Sequence, residues 1–492
     1  MPIFSLPGKY GIGGFGRECY EFIDYLCAAG QRLWQVLPPA QTGWGNSPYS
    51  SVASDSISPY YISPEILKEK GLLTREEAEF SARETGLIDY GFLYSVRFPM
   101  LRKAFSRFDR NDKEFKAFLR EGRHADYALY MSIKYASGQR DFREWNKGLK
   151  YREPAALKEF SADYEEEILF WQFVAFEAER EWLAVKAYAN AAGVEIIGDM
   201  PLYMAADSAD VWKAPQNFLL DDALYPERLA GVPPDYFQKE GQLWGNPVYD
   251  FSYQQKNGFD WWKERLKRAL SLYDYVRIDH FRGLDRFYSV EPSAPNAMHG
   301  EWTKVPSKPL FAAILSAVKK ETLIAEDLGI IDEGVRSLLK YTGLPGMKIL
   351  SFAFNGESEN PYLPERIEEN SVCYTGTHDN DTLIGLIKGF SEWDRTNFIN
   401  GVVSSAKIMG TGGLKEITPE ALARTVLELG FACKANFFIA PMQDVLFYGG
   451  DYRINEPGTV KPQNWAVRFK KQDFTEKSAK FLKELAARYN RG

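Results

Sequence analysis

Four acidic residues each stand at or just past the end of a short apolar run: Asp199, Asp279, Glu326 and Asp379. Two carboxyl groups in one site can divide nucleophilic and acid/base roles, because different surroundings give them different pKa values. Each residue taken alone is as readily explained as a helix N-cap or a turn residue. Like charges repel, however, so a cluster of all four favours a catalytic site over a structural one.

Strand alternation assigns these carboxyl groups to one face. In the run YVRIDHF, Arg277 and Asp279 lie on the same side of an extended strand. An arginine beside Asp279 is predicted to keep that carboxylate ionised near neutral pH, as a nucleophile requires. The same parity directs Ile324 and Glu326 inward, where apolar walls disfavour the charged form of a carboxyl, as a general acid requires.

Eight short apolar runs could position these groups, and helical patterns lie between them, as is typical of βα units around a parallel sheet. In a (β/α)8 barrel the carboxyl ends of the strands converge on one mouth. The sequence therefore predicts an α/β fold, a (β/α)8 TIM barrel that forms a single catalytic unit over residues 1–492. The predicted strands are residues 2–6, 33–38, 194–199, 274–279, 322–326, 347–353, 371–377 and 435–440.

The uneven spacing of the runs predicts two insertions in the barrel. Residues about 40–160 are expected to form a mostly helical subdomain, and residues about 200–260 a loop-rich subdomain over the cleft. A helix over about 163–191, with Asp163 as its N-cap, would close the first insertion. After the eighth run we expect a final helix near 474–490 and no C-terminal all-β domain.

Aromatic residues in the second insertion are candidates for sugar stacking. Tyr236, Phe237 and Trp244 lie within the Pro- and Gly-rich segment GVPPDYFQKEGQLWGNP. Composition alone explains them equally well as anchors that hold a long loop to the barrel.

Composition excludes several other classes of function. The net charge is −7 with both signs mixed along the chain, so a nucleic-acid partner is not expected. No apolar run reaches about 18 residues and the start lacks a signal-peptide pattern, so we expect no membrane contact and a cytoplasmic location. The 4 cysteines and 4 histidines show no ligand spacing, so neither a metal nor another cofactor is expected.

The segment GIGGFG matches a dinucleotide-binding pattern through Gly11, Gly13 and Gly16. The next apolar run ends in Leu37 and Pro38 instead of the acidic residue that would bind a ribose. These glycines are therefore predicted to form a turn at the rim of the barrel.

The chain resembles the amylomaltase family of 4-α-glucanotransferases along its whole length. The segments that carry the resemblance are LPGKYGIGGFG, WQVLPP, GNSPYSS, GDMPLYMAADSADVW, AGVPPDYFQKEGQLWGNP, VRIDHFRG, IAEDLG, TGTHDNDT, PMQDV and NEPGT followed by NW. The resemblance implies an enzyme that acts on maltooligosaccharides and α-glucans, and no protein partner is predicted. The chain is expected to depart from the family pattern by starting within the first strand, without the residues that usually precede it.

Residue by residue, the resemblance makes Asp279 the nucleophile, Glu326 the acid/base and Asp379 the carboxylate that stabilises the transition state. It further implies that a loop over residues 231–247 arches over the cleft. Substrate contacts are expected from Tyr49, Asp199, Arg277, His378, Trp244, Phe237 and Asn246.

The expected reaction is transfer of a glucan segment to a sugar 4-hydroxyl by a retaining double displacement. A retaining α-glucan hydrolase would use the same residues and differ only in admitting water to the intermediate. An inactive glycan-binding protein is a weaker alternative, because all three carboxylates are present.

Overall fold

The structure is a computed structural model that describes residues 1–43, 45–80, 86–234, 238–414 and 416–492. The chain contains both helices and strands, and the fold is of the mixed α/β class. The strands are β1 Leu33–Gln35, β2 Glu195–Met200, β3 Leu229–Val232, β4 Gln242–Pro247, β5 Tyr275–Ile278, β6 Arg286–Val290, β7 Glu301–Lys304, β8 Leu323–Ala325, β9 Gly346–Ile349, β10 Ser371–Tyr374 and β11 Phe437–Ile439.

Side-chain caps set the start of many helices: Ser63, Asp332 and Thr475, for example, each accept a hydrogen bond from a first-turn N–H. The α-helices in the described residues are α1 Arg17–Ala28, α2 Pro64–Glu69, α3 Arg75–Ala78, α4 Tyr90–Arg107, α5 Lys113–Glu121, α6 Ala125–Ala136, α7 Lys147–Lys150, α8 Pro154–Asp163, α9 Glu165–Ala191, α10 Ala209–Lys213, α11 Phe251–Lys256, α12 Asp260–Leu272, α13 Ser307–Ala317, α14 Glu333–Thr342, α15 Leu383–Gly389, α16 Glu392–Met409, α17 Pro419–Ala432, α18 Met442–Val445 and α19 Glu476–Arg488.

Two parallel sheets form the centre of the fold. Their strand orders are β1-β2-β5-β8 and β9-β10-β11, and every pairing in them is parallel. The Ala325 N–H donates to the Pro345 carbonyl at 2.9 Å, which joins the end of β8 to the residue before β9. The two sheets also share one apolar cluster that contains Ile197, Ile324, Met347, Val372 and Tyr374. Seven of the eight predicted runs are these strands.

The first predicted strand, residues 2–6, is wrong, because Ile3–Ser5 forms a 3-10 helix. Pro2 has no N–H to give to a ladder. Ser5 instead bonds to the C-terminal part of the chain: its hydroxyl donates to Val467 O at 2.7 Å and its carbonyl accepts from Phe469 N–H at 2.9 Å. The segment still lies beside β1, since the Met1 ammonium donates to Gln35 O at 3.2 Å.

The region between β1 and α9 is helical and contains α2 to α8. The predicted long helix is α9, but it starts at Glu165 with Tyr164 as its N-cap. Asp163 is the last residue of α8, so the expected N-cap at Asp163 is wrong.

The segment over about 200–260 is more regular than the expected loops. Its strands β3 and β4 join β6 and β7 in an antiparallel sheet of order β4-β3-β6-β7. The sequences LAGV and QLWGNP are short, and the second mixes glycine and proline with polar residues, so neither shows clear strand alternation.

The glycine-rich segment before α1 forms a turn, as expected. Gly11 adopts a φ of 81°, in the left-handed region that glycine tolerates. A Cβ at Gly13 would stand 2.0 Å from the Ile3 carbonyl oxygen, so this position requires the close approach that only glycine allows. After β11 the final helix α19 confirms the predicted C-terminal helix.

Across the described ranges, no helix combines the length and the apolar character needed to cross a lipid bilayer.

Candidate active site

The predicted acidic residues stand at the carboxyl ends of neighbouring parallel strands. Asp199 is in β2 and pairs in register with Arg277 of β5, while Asp279 directly follows β5 and Glu326 directly follows β8. Backbone hydrogen bonds continue the ladder to both, because Asp279 N–H donates to Met200 O at 3.1 Å and Glu326 N–H donates to Ile278 O at 3.0 Å. The structure therefore brings these carboxyl groups to one edge.

Arg277 joins two of the carboxylates. Its guanidinium lies 2.5 Å from Asp199 Oδ2 and 3.0 Å from Asp279 Oδ1, and the Tyr49 hydroxyl donates to the same Asp199 oxygen at 2.6 Å. Burial disfavours the charged guanidinium, but the carboxylates more than offset this and raise the pKa of Arg277 well above its usual value. Arg277 thus remains a cation that holds Asp199 and Asp279 in fixed positions.

Glu326 is held by backbone donors on both oxygens. Its Oε2 accepts from His280 N–H at 2.6 Å and its Oε1 from Leu328 N–H at 2.8 Å. His280 has a left-handed backbone with φ 47°. Burial raises the pKa of Glu326 to about 8, although Arg277 and the two backbone bonds act in the opposite direction. A protonated Glu326 at neutral pH is what general-acid chemistry needs.

Asp279 is less acidic than the sequence led us to expect. Burial raises its pKa to about 7, and the opposing effect of Arg277 does not fully compensate; nearby Asp199 and Asp379 add to the increase. The expected ion pair with Arg277 is present and opposes this increase. Asp279, which contacts Arg277 directly, therefore ionises before Glu326, and Glu326 is the group that still carries a proton.

Asp379 and His378 lie on the segment that follows β10. Asp379 Oδ1 accepts from Asn455 Nδ2 at 2.7 Å and lies 3.4 Å from His378 Nε2. The Asp379 carbonyl accepts from the Arg453 guanidinium at 2.6 Å. The His378 ring stacks on Tyr49 with centroids 5.1 Å apart, and burial lowers the pKa of His378. His378 is therefore a neutral imidazole close to Asp379 and Tyr49.

Asn455 and Arg453 were not among the predicted site residues. They follow β11, more than 70 residues from Asp379, and Asn455 is the first residue of the NEPGT segment. The resemblance of the NEPGT segment to the amylomaltase family was the one sequence signal that pointed to this region of the chain.

Strand β4 brings one aromatic ring to the site. The Trp244 ring stands perpendicular to the His280 ring, with centroids 4.8 Å apart. Asn246 donates from Nδ2 to the Met204 carbonyl at 2.8 Å, a contact that fixes β4 to the segment after β2. The predicted Phe237, with its neighbour Tyr236, lies outside the described residues.

Carboxyl groups held close to one arginine at the carboxyl ends of parallel strands, with an exposed aromatic ring nearby, are typical of enzymes that act on glycosidic bonds. A sequence model of the 4-alpha-glucanotransferase family matches residues 1–474. The chain belongs to this family of retaining enzymes, which confirms the expected 4-alpha-glucanotransferase activity.

Individual relatives agree with this assignment. The 4-alpha-glucanotransferase of Clostridium butyricum is 41% identical over 498 aligned residues and covers all of both chains. That of Thermus thermophilus is 40% identical, over 98% of this chain and 96% of the relative. The solved amylomaltase of Streptococcus agalactiae, in complex with acarbose, has a TM-score of 0.93 and 36% identity, over 100% of this chain and 98% of that one.

Proposed function

We propose that Asp279 is the nucleophile, Glu326 the acid/base and Asp379 the transition-state stabiliser of this 4-alpha-glucanotransferase. One observation carries the assignment: the residue after Asp279 donates its N–H to Glu326 at 2.6 Å, while Arg277 contacts Asp279 at 3.0 Å. The backbone hydrogen bond fixes Glu326 relative to Asp279, and the ion pair fixes Asp279 relative to the Arg277 cation. The substrates we propose are maltooligosaccharides and longer α-glucans.

In the first step a carboxylate oxygen of Asp279 attacks the anomeric carbon of the donor. The bond from that carbon to the glycosidic oxygen breaks, and Glu326 gives its proton to the departing oxygen. The result is a covalent glycosyl–Asp279 ester and a released sugar with a free 4-hydroxyl. Glu326 can supply this proton at neutral pH because its pKa is raised.

In the second step the 4-hydroxyl of an acceptor sugar attacks the same carbon from the opposite face. Glu326, now a carboxylate, takes the hydroxyl proton, and the ester bond to Asp279 breaks. Two inversions give net retention. Both steps develop positive charge on the sugar ring, and the Asp379 carboxylate, held by Asn455, is placed to stabilise it.

The remaining proposed contacts bind or orient the donor sugar. Tyr49, Asp199, Arg277 and His378 form one connected group beside Asp279. We propose that Trp244 and Asn246, which lie on β4, and Phe237 also contact the glucan, and that the Trp244 ring stacks on a sugar face.

We further propose that the two parallel sheets belong to a single (β/α)8 barrel over residues 1–492, with insertions at about 40–160 and 200–260. The apolar cluster shared by the inner faces of both sheets supports closure. A cytoplasmic location and function without a nucleic-acid, membrane or protein partner complete the proposal.

Incubation with pure maltotriose tests the proposed function. We expect a ladder of longer oligosaccharides together with released glucose, no products from Asp279→Asn, and a strongly reduced but measurable rate from Asp379→Asn. Maltose and glucose without longer products would establish hydrolysis instead, and an active Asp279→Asn variant would exclude Asp279 as the nucleophile.

A further inference from the structure

The PMQDV segment contains a buried carboxyl group that none of the proposed catalytic roles uses. Asp444 lies on α18, which directly follows β11 at the carboxyl edge of the parallel sheet, and its exposed fraction is only 2%. A buried carboxyl is costly unless hydrogen bonds satisfy it, so its partners indicate its role.

The two oxygens of Asp444 bind two different points of the neighbouring chain segment. Oδ2 accepts from the Thr375 hydroxyl at 2.6 Å, and Oδ1 accepts from the Leu383 N–H at 2.7 Å. Thr375 is the first residue after β10, and Leu383 is the first residue of α15. One carboxylate thus joins both ends of residues 375–383.

This segment carries His378 and Asp379, and its interior is a tight turn. The Thr377 N–H donates to Asn380 Oδ1 at 2.8 Å, and the Asp379 N–H donates to Thr377 Oγ1 at 3.3 Å. A turn with fixed internal bonds moves as a unit, so the position of its two ends sets the position of the Asp379 carboxyl.

We propose that Asp444 is a positioning residue for Asp379: by holding Thr375 and Leu383 it fixes where the Asp379 carboxylate meets the substrate. Two partners that both donate call for an acceptor with two oxygens in a fixed geometry, and a carboxylate provides this. The contacts of Asn455 and Arg453 hold the middle of the segment, whereas Asp444 holds its ends. The inference rests on the role proposed above for Asp379.

The test measures kcat and KM for maltotriose disproportionation in the full-length Asp444→Ala, Asp444→Asn, Thr375→Val and Thr375→Ser variants. A misplacement of about 1 Å can cost about 100-fold in rate. We expect Asp444→Ala to lower kcat by about that factor. Asp444→Asn, which replaces one accepting oxygen by an amide donor, should lower kcat by about 10-fold, and KM should be nearly unchanged in both variants. Thr375→Val should lower kcat by about 10-fold, while Thr375→Ser, which keeps the hydroxyl, should restore it.

Asp210→Asn is the matched control. Asp210 is also a buried carboxylate with two hydrogen bonds, from Ser54 N–H at 2.7 Å and the Ser54 hydroxyl at 2.5 Å, but it lies on α10. We expect this variant to lower the unfolding temperature and leave kcat near the wild-type value. A kcat loss in Asp210→Asn as large as that in Asp444→Asn would overturn the inference.

A double variant separates positioning from general damage. If Asp444 acts through Asp379, adding Asp444→Ala to Asp379→Asn should cost little more than Asp379→Asn alone, because effects within one unit are not additive. Additive losses, or a wild-type kcat for folded Asp444→Ala, would overturn the inference. A fully active Asp379→Asn variant would instead refute the proposed function.

Discussion

Replacing Arg277 with Met should change the pH dependence of the enzyme. Two unit charges about 4 Å apart interact by about 4 kcal/mol at an effective dielectric constant of about 20, and one pKa unit corresponds to about 1.4 kcal/mol. Asp279 is 24% exposed on its side chain, so we discount the shift to about two units. The pKa of Asp279 would then rise well above its wild-type value of about 7.

Activity requires Asp279 ionised and Glu326 protonated. In the wild type, kcat/KM should rise as the pH passes about 7 and fall as it passes about 8, with the two limbs belonging to the coupled pair. Loss of Arg277 raises both pKa values, because Arg277 lowers each of them. We expect the acidic limb to move up by about two units and kcat/KM at pH 7 to fall by about 50-fold.

The assay is glucose release from maltotriose between pH 5 and 10. Arg277→Lys keeps the positive charge but lacks the planar guanidinium with its paired donors. It should move the acidic limb of the kcat/KM profile by less than about one pH unit. Arg265→Met is the control, since Arg265 is also buried but donates to Leu202 O, Pro201 O and the Tyr249 hydroxyl. An unchanged acidic limb in Arg277→Met, or an equal shift in Arg265→Met, would refute the reasoning.

Three further predictions concern single side chains. Glu326→Gln should lower turnover of maltotriose by about 1,000-fold or more, as expected for a lost general acid, while a donor whose leaving group needs no proton should be cleaved at a much less reduced rate. Tyr49→Phe removes the 2.6 Å hydrogen bond to Asp199 and should lower kcat/KM by about 10-fold, since a bond to a charged group contributes about 1.5 kcal/mol or more; an unchanged kcat/KM would show that Tyr49 does not orient Asp199. Gly13→Ala places a Cβ 2.0 Å from Ile3 O and should lower the unfolding temperature by several degrees, measured by calorimetry, with wild-type kcat below the transition.

The strands that carry the catalytic candidates were predictable because their apolar residues are buried on both faces. Residues such as Ile197, Ile324 and Val372 pack in the shared cluster, and such strands appear in sequence as continuous apolar runs. The antiparallel sheet was not predicted, because β4 leaves Leu243 and Trp244 partly exposed and has no alternating apolar pattern. The 3-10 helix at Ile3–Ser5 was missed because its apolar run gives no sign of the bonds that Ser5 makes to residues 467–469.

In the site, strand parity placed Arg277 beside Asp279 and Glu326 at the same edge. The alternation of side chains along a strand predicts which face a side chain lies on, but not how deeply it is buried. It could therefore not show that burial outweighs Arg277 in setting the pKa of Asp279. The supports of Asp379 were missed for a different reason. Arg453, Asn455 and Asp444 approach from beyond β11, and no local pattern in the sequence connects them with residue 379.

Trapping the covalent intermediate tests the central claim most directly. The Glu326→Gln variant should react with an α-maltosyl fluoride donor, whose fluoride leaves without a proton, and should then accumulate the glycosyl enzyme because the second step lacks its base. Digestion and mass spectrometry should find one maltosyl unit on the peptide that contains Asp279, attached at that carboxyl group. A maltosyl group on another residue, or turnover with no adduct on Asp279 at any time, would contradict the assignment of Asp279 as the nucleophile.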